Sequence, residues 1–252
     1  MHQPAILLLT ATITPPRGVP NLKRTDPKQR YEDYVDAFSF YLSLPTEVID
    51  RIVFIENSKS DIDRLRHLAA NESNGKQIEF VCFDGLSYPP AYGRAYGEFK
   101  MLDYVFRNSL LIKAMEDSNH FWKVTGRLKV FNLPKIIAKA PSNYDLLMDF
   151  LRFPTKMTDL RLYSCSIKGY KRLLENVYET LIEANLNMSA ESFLYQQWVD
   201  KTGQLGIVPR FVAQPRIGGI GGQHNVDYYS GLNVSKHWIR AATRRLVPNL
   251  WI

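Results

Sequence analysis

Short apolar runs alternate with amphipathic stretches through the first half of the chain. Four of these runs are rich in Leu, Ile, Val and Phe, and polar or turn-forming residues follow each one. They span residues 5–13 (AILLLTATI), 51–55 (RIVFI), 78–83 (IEFVCF) and 120–124 (HFWKV). Runs of this length, bounded by turn residues, predict four buried β-strands.

Between these runs the apolar positions recur at helical spacing. Asp26 and Pro27 form a typical helix start. The face that follows carries Tyr31, Tyr34, Val35, Phe38 and Leu42. Residues 59–71 and 95–116 continue the pattern, so strands and helices alternate. This order predicts an α/β fold with a mostly parallel central sheet flanked by helices.

The second half is less regular. Residues 159–167 (DLRLYSCSI) resemble a strand, and helices are expected near 168–185 and 189–201, before a glycine-rich segment. No internal repeat or low-complexity linker separates the halves. We therefore expect one domain with a C-terminal elaboration, divided into residues 1–133, 134–234 and a basic amphipathic tail at 235–252.

Composition narrows the class of partner. The formal charge of +7 points to an anionic partner, and phosphate, lipid headgroups and nucleic acid all stay open.

The cysteines and the apolar runs indicate the compartment. Cys82 and Cys165 lie far apart in apolar surroundings, which predicts reduced thiols and a reducing compartment. The apolar run at 5–13 lacks a basic leader and a small-residue cleavage site, so we expect a strand there and no signal peptide. No stretch approaches the roughly 18 to 20 apolar residues that span a bilayer.

Polar residues follow each predicted strand, where ligands of open α/β sheets collect. They are Thr10, Thr12 and Thr14 after the first strand, 56–58 (ENS, with Asn57) after the second, Asp84 and Gly85 after the third, and Thr125, Gly126 and Arg127 after the fourth. The alternative is that they only form turns and helix caps.

Two glycine-bearing segments suggest phosphate contacts. Gly93 and Gly97 precede a predicted helix, and Arg94 between them would add charge. Neither GxGxxG nor a P-loop is present, which argues against a Rossmann dehydrogenase and a P-loop kinase. Residues 210–229 hold four more glycines, with cationic side chains nearby. They are Gly218, Gly219, Gly221 and Gly222, with Arg210, Arg216 and His224. A flexible loop of this kind suits a diphosphate, whereas the alternative is an exposed loop.

A carboxylate near a helix start is the candidate general base. Ser189 is a suitable N-cap, and Glu191 follows it in the first turn. Glu191 either favours the helix dipole or, once partly buried, removes a proton from a substrate. Asp159 is the second candidate and Asp84 the third.

Together these segments resemble a GT-A-type glycosyltransferase. Residues 121–132 (FWKVTGRLKVFN) are similar to the family's segment around the acidic DxD element, which binds a divalent metal. Phe121 to Val124 match its strand, Val130 and Asn132 match its exit, and Thr125-Gly126-Arg127 replaces the aspartates. The segments LLTATITP, KRTDPKQRYEDY, FIENS, YGRAYGE, KVTGR and PRIGGIGG resemble bacterial capsule or O-antigen glycosyltransferases with a K-x-T-G-R motif.

The resemblance implies a metal-independent, inverting glycosyltransferase of the hexosyl or deoxyhexosyl class. Its substrates would be a nucleotide-diphosphate sugar and a saccharide or lipid-linked saccharide acceptor of cell-surface polysaccharide synthesis. Residues 1–133 would bind the donor, and residues 134–234 would bind the acceptor and carry Glu191 or Asp159 as the base. No cofactor is expected, because Arg127 would take over the charge of the metal. The implied donor contacts are Thr10, Thr12, Asn57, Asp84, Arg94, Gly97, Thr125, Gly126, Arg127, Gly221, Gly222 and His224.

The tail mixes basic and apolar residues: His237, Arg240, Arg244 and Arg245 with Trp238, Leu246, Leu250 and Trp251. This mixture predicts a cytoplasmic protein with a peripheral contact to an anionic membrane surface, on the inner face of the cytoplasmic membrane. The alternative is a terminal helix packed on the domain.

Two rival functions stay open. A sugar nucleotidyltransferase also uses an α/β sheet and a basic phosphate site, but it usually needs a glycine-rich loop after the first strand and carboxylates for Mg²⁺. A non-catalytic nucleic-acid-binding protein would suit the charge, but the basic residues are scattered and no RNA-binding motif occurs.

Overall fold

The computed structural model describes residues 4–247 and 250–252. Residues 1–3 and 248–249, which belong to the predicted donor half and tail, lie outside the described residues. The strands are β1 (Ala5–Ala11), β2 (Ile49–Glu56), β3 (Gln77–Cys82), β4 (His120–Thr125), β5 (Lys129–Val130), β6 (Leu146–Leu151), β7 (Met157–Ser166), β8 (Ile207–Val208) and β9 (Ile217–Gly218).

The helices are α1 (Pro27–Leu42), α2 (Asp63–Glu72), α3 (Gly93–Asn108), α4 (Leu110–Lys113), α5 (Leu133–Ala138), α6 (Ile167–Leu173), α7 (Ala190–Trp198) and α8 (Leu232–Leu246). Short 3₁₀ turns lie at Pro90–Tyr92, Val177–Thr180, Glu183–Asn185 and Val199–Lys201. The predicted α1 start is correct, because the Asp26 carboxylate accepts hydrogen bonds from the backbone N–H groups of Lys28 and Gln29.

Seven strands form the central sheet in the order β3-β2-β1-β4-β7-β6-β8. The pairs β2–β3, β1–β2, β1–β4 and β6–β8 are parallel, whereas β7 runs antiparallel to both β4 and β6. The predicted α/β fold with a mostly parallel sheet flanked by helices is therefore confirmed. Strands β5 and β9 form a separate two-stranded ribbon.

The alternation of side chains along β1 explains its unbroken apolar run. Leu7 and Leu9 pack on one face with Phe38 of α1, and Ile6 and Leu8 pack on the other with the residues of α3. A strand covered on both faces has no solvent side to keep polar.

Two predicted helices are shorter than their patterns suggest. Residues 95–116 break at Ser109, where Glu79 of β3 accepts hydrogen bonds from the Ser109 hydroxyl and from the Leu110 and Leu111 N–H groups. Residues 168–185 are helical only to Leu173. Asn176 adopts a positive φ of 58°, which an α-helix does not contain, and 3₁₀ turns follow it. This second break lets Glu183 turn toward the site described below.

Helix α8 is fixed to the sheet by a buried ion pair. The Arg244 guanidinium donates to both carboxylate oxygens of Asp149 in β6, at 3.0 and 2.7 Å, and to the Phe211 carbonyl at 2.6 Å. Breaking such a pair leaves an unpaired buried charge, which typically costs about 3 to 5 kcal/mol. The predicted tail is thus partly packed on the domain.

Candidate functional site

A cavity of about 500 Å³ opens at the carboxyl ends of β1 and β4. In the sheet order, β1 has β2 on one side and β4 on the other, so the strand order reverses at this point. Such a switch point is where open α/β sheets bind ligands. Thr10 and Thr12 line the cavity from β1 and the residues behind it, and Thr125 and Arg127 line it from the end of β4. We call this space the donor cavity, after the donor contacts that the sequence predicts for Thr10, Thr12, Thr125 and Arg127.

A buried ion pair supports the base of the donor cavity. Lys123 of β4 is 0% exposed, and its Nζ lies 2.5 Å from Glu98 Oε1. The same Glu98 oxygen accepts a hydrogen bond of 2.8 Å from the Thr10 hydroxyl. Lys123 also donates to the Thr125 hydroxyl at 3.3 Å. The lysine of the KVTGR segment therefore joins the two strand ends.

Behind β1, Thr12 is anchored from three directions. Its hydroxyl donates to Asn57 Oδ1 at 2.6 Å, its N–H donates to the Tyr34 hydroxyl at 2.9 Å, and its carbonyl accepts from Arg30 Nε at 2.8 Å. Asn57 is 1% exposed and lies outside the cavity lining, so the structure does not support its predicted contact with the nucleoside. It positions Thr12 instead. Arg30 and Tyr34 both line the cavity and were missed, although their i, i+4 spacing on α1 signals a pair.

Asp84 also lies outside the donor cavity lining. It is exposed and forms a bridge with Ser58 after β3, the edge strand of the sheet. Two strands separate the end of β3 from β4, so Asp84 stands away from the switch point. Its predicted roles in donor binding and as a third base are not supported.

The turn after β4 brings Arg127 into the cavity wall. Gly126 N–H donates to the Thr10 carbonyl at 2.9 Å, and a Cβ on Gly126 would lie 2.8 Å from that carbonyl oxygen. Glycine is therefore required for this approach. Arg127 is only 9% exposed, which excludes a solvated turn arginine. Its NH1 donates to the Ile220 carbonyl at 2.7 Å, and its buried Nε has no hydrogen-bond partner within the described residues.

The glycine-rich segment is held in place over Arg127. Strand β9 pairs with β5, and the Gly222 carbonyl accepts hydrogen bonds from the N–H groups of Lys23 and Arg24 at 2.9 and 3.1 Å. A Cβ on Gly222 would lie 3.0 Å from Arg127 NH2. Gly221, Gly222 and the exposed His224 line the cavity as predicted. The segment is held in place by its strand pairing and hydrogen bonds, so it differs from the flexible loop that the sequence predicted.

The start of α3 differs from the expected phosphate site. Gly93 begins the helix and Gly97 lies within it, so the glycines do not precede the helix. The Glu183 side chain packs against Gly93, and the Tyr88 hydroxyl packs against Gly97. Arg94 lines the cavity, and its buried Nε has no hydrogen-bond partner in the described part of the chain. Gly93 and Gly97 also line the cavity, but the Glu183 carboxylate packs over the helix start, so Arg94 is the cationic group at this end.

Among the described residues, four carboxylates line the donor cavity, and they differ in how far they are engaged. Glu98 is paired with Lys123. Both Asp159 oxygens accept hydrogen bonds from Arg161, at 2.8 and 2.5 Å. Burial opposes the ionisation of Asp159, but Arg161 outweighs it and lowers the pKa of that carboxyl. Asp159 is therefore a weak candidate for the base.

Glu183 and Glu191 lie in the same wall and interact. Burial raises the pKa of Glu183, and the negative charge of Glu191 adds to the rise while Arg94 opposes it. Glu191 lies in the first turn of α7, whose N-cap Ser189 accepts a hydrogen bond of 3.2 Å from the Ser192 N–H. Glu183 was missed because the sequence predicted an uninterrupted helix through this region.

The turn after β4 differs from an acidic metal-binding turn. Thr125, Gly126 and Arg127 stand at the end of β4 and offer no carboxylate. Among residues 4–247 and 250–252, no group of three or more His, Cys, Asp and Glu side chains is arranged to hold a metal ion.

No known protein family matches the chain, and no curated protein matches it. Several solved structures are similar in outline. The glycosyltransferase GlyE of Streptococcus pneumoniae has a TM-score of 0.48 at 11% identity, over 82% of this chain and 45% of that one. A putative nucleotide-diphospho-sugar transferase from Desulfovibrio desulfuricans has a TM-score of 0.46 at 10% identity, over 100% of both chains.

A cytidylyltransferase from Leptospira borgpetersenii has a TM-score of 0.43 at 9% identity, over 83% of this chain and 77% of that one. The similar structures thus include both a glycosyltransferase and a cytidylyltransferase. TM-scores and identities this low do not assign an activity to the chain.

Proposed function

We propose that the chain is a metal-independent, inverting glycosyltransferase that moves a sugar from a nucleotide diphosphate to a saccharide acceptor. The observation that carries the proposal is the pairing of opposite charges across one cavity. Arg94 and Arg127 bring unsatisfied guanidinium N–H groups to a switch-point crevice, and Glu183 and Glu191 face the same space. A diphosphate leaving group needs the cations, and an acceptor hydroxyl needs the carboxylate.

The proposed reaction is a single displacement. The acceptor oxygen attacks the anomeric carbon of the donor sugar as the bond between that carbon and the diphosphate oxygen breaks. Glu191 takes the proton of the acceptor hydroxyl, and Arg94 and Arg127 stabilise the charge that develops on the leaving diphosphate. Attack from the face opposite the leaving group inverts the anomeric centre. Fixed cations supply the larger effect, because they need no reorganisation during the reaction.

Binding of a nucleotide sugar without metal tests this function. In EDTA, we expect one member of a panel of nucleotide sugars to raise the thermal midpoint of the full chain and to be hydrolysed slowly, because a ligand that binds only the folded state stabilises it. The measurement is a thermal shift followed by chromatography of the released nucleotide. A requirement for added Mn²⁺ would refute metal independence, and turnover of a nucleoside triphosphate with a sugar phosphate would favour the nucleotidyltransferase.

We further propose a role at the membrane face where lipid-linked saccharides lie, as expected for surface polysaccharide synthesis. No helix in the described residues has the length and apolar character to cross a bilayer. Helix α8 exposes Trp238 by 56% and Leu246 by 77%, next to the exposed Arg245. Phe153 is also 65% exposed, and its N–H donates to the Trp251 carbonyl in the C-terminal segment. Basic and aromatic residues together suit an anionic interface.

The membrane contact predicts a change in liposome flotation. We expect Trp238→Ser combined with Leu246→Ser to release the protein from vesicles that contain anionic lipid, because both side chains are exposed and lose apolar area. Deleting the tail would be a poorer test, since Arg244 and Trp251 are packed on the domain. Val212→Ser, at another exposed apolar side chain, is the matched control. Equal flotation of the double variant and the control would exclude this surface.

A further inference from the structure

A second, smaller cavity of about 100 Å³ adjoins the donor cavity. The two spaces share Asp159, Arg161, Tyr228 and Arg240 as a common wall. The far side is lined by Gln214, Pro215, Ile217, Tyr229, Asn233, Lys236 and His237. Helix α8 supplies four of the lining side chains, so the second cavity lies between the sheet domain and that helix.

The second cavity is strongly cationic. Arg161, Lys236 and Arg240 contribute positive charge, and Asp159 is the one carboxylate that the described residues place in its lining. Burial lowers the pKa of His237, and the charges of Arg216, Arg240 and Arg244 lower it further against a hydrogen bond with the Pro215 backbone, so this imidazole is not counted among the cations. The lining therefore has a formal charge of +2.

Much of this polar surface is unused within the protein. Within the described residues the Arg240 guanidinium makes no hydrogen bond and no ion pair; it is partly buried beside Arg161, and Asp159 and Asp149 attract it only at longer range. Gln214 Oε1 is buried without a hydrogen-bond partner in the same set of residues and, as an acceptor, requires a donor such as a sugar hydroxyl and not a phosphate oxygen. Asp159 cannot serve Arg240 fully, because Arg161 already occupies both carboxylate oxygens. Buried polar groups without partners usually signal a missing ligand or water.

We propose that the second cavity binds a phosphoryl group carried by the acceptor substrate. This inference rests on the proposed function, because it places the acceptor beside the donor cavity. A phosphate monoester carries a charge of about −1.5 to −2 at pH 7, which matches the lining. The Arg240 guanidinium can bind two phosphate oxygens and Lys236 adds a second cation, whereas the Nε and NH2 groups of Arg161 are already held by Asp159. The volume admits a phosphoryl group and is too small for a sugar ring with its nucleotide.

The shared wall gives the acceptor its direction. A phosphoryl group held by Lys236 and Arg240 would leave its attached sugar to cross Tyr228 and enter the donor cavity. There the sugar would meet Glu191 and the donor. The phosphoryl group itself takes no part in bond making, so its role is to position the acceptor.

The test measures phosphate binding by ³¹P NMR titration of the full chain, with inorganic phosphate and a monosaccharide phosphate as probes. We expect Lys236→Gln combined with Arg240→Gln to weaken binding of both probes by about tenfold or more, because two cationic donors are lost. Arg245→Gln removes the same kind of charge from an exposed position on the same helix, and we expect binding within about twofold of the wild type. Circular dichroism establishes that each variant is folded.

Three outcomes would overturn the proposal. The double variant could bind both probes as tightly as Arg245→Gln does. Phosphate binding could instead be lost in Arg127→Ala and kept in the double variant, which would place the phosphate in the donor cavity. Glucuronate could bind where both phosphate probes do not, which would assign the cavity to a carboxylate. Failure of the glycosyltransferase proposal would appear separately, as wild-type protein that binds phosphate here but binds no nucleotide sugar.

Discussion

Arg127→Ala is expected to abolish turnover while leaving the fold intact. Removing one fixed donor to a developing oxyanion typically lowers kcat by about 10²- to 10³-fold. Affinity for the nucleotide sugar should fall as well, because in the proposed mechanism the arginine contacts the diphosphate before and during the reaction. Steady-state kinetics and donor titration measure the two effects, and thermal unfolding measures the fold.

The structure also suggests how Arg127 could act indirectly, and a second substitution separates the two routes. Arg127 donates to the Ile220 carbonyl and so helps to hold the glycine-rich segment. Arg127→Lys keeps the charge but loses the planar fork, so an electrostatic role predicts partial recovery of donor binding. Arg245→Ala is the control for a lost surface charge. If Arg127→Ala matched Arg245→Ala in both kinetics and binding, Arg127 would have no part in the donor site.

The sheet and its first helices were predictable because local and global signals agree there. Apolar runs covered on both faces, such as β1, leave no polar position, and Asp26 caps α1 with its own side chain. The reversal of β7 relative to β4 was not predictable, because that pairing spans the long connection of residues 126–156, whereas the five residues between β6 and β7 are short enough for an antiparallel hairpin.

The candidate site was predictable where residues follow the central strands and less so elsewhere. Thr10 and Arg127 follow β1 and β4 at the switch point, and the structure brings both to the cavity. Asp84 follows the edge strand by the same rule and stands apart, because strand order cannot be read from one sequence. Glu98 and Lys123 are 25 positions apart, and only the crossing of α3 over β4 joins them.

The ion pair between Asp159 and Arg161 was not predicted, although the sequence carries a local signal for it. Asp159 and Arg161 are two residues apart on β7, so their side chains point to the same face of the sheet. Opposite charges at this spacing predict an ion pair, and such a pair makes Asp159 a weaker base. The end of the predicted helix before Asn176 had no comparable signal in the sequence, so the position of Glu183 in the cavity wall was not predicted.

Glu191→Gln carries the second large expected effect, a fall in kcat of about 10²- to 10⁴-fold with donor binding unchanged. General base catalysis contributes about this much, and glutamine keeps the shape of the side chain without accepting the proton. The measurement is kcat with the acceptor, together with donor affinity and the slow hydrolysis of the donor. Hydrolysis should persist, because it depends mainly on the cations that stabilise the leaving diphosphate, and these are unchanged in the variant.

The competing account of Glu191 is that it only stabilises α7. A carboxylate in the first helical turn contributes about 0.3 to 1 kcal/mol to the free energy of unfolding through the helix dipole. Under that account Glu191→Gln would lower the thermal midpoint slightly and leave kcat unchanged. Measuring both quantities on the same variant separates a structural carboxylate from a reacting one.

Two further carboxylates give the comparison that decides which group is the base. Asp159→Asn should disturb Arg161 and lower stability, because a partly buried guanidinium loses its charged partner. Glu183→Gln should have a smaller effect on kcat than Glu191→Gln, since the Glu183 side chain packs against Gly93 at the start of α3. If Glu183→Gln abolished transfer while Glu191→Gln kept near-normal kcat, the raised pKa of Glu183 would mark the true base, and Glu191 would be the neighbour that raises it.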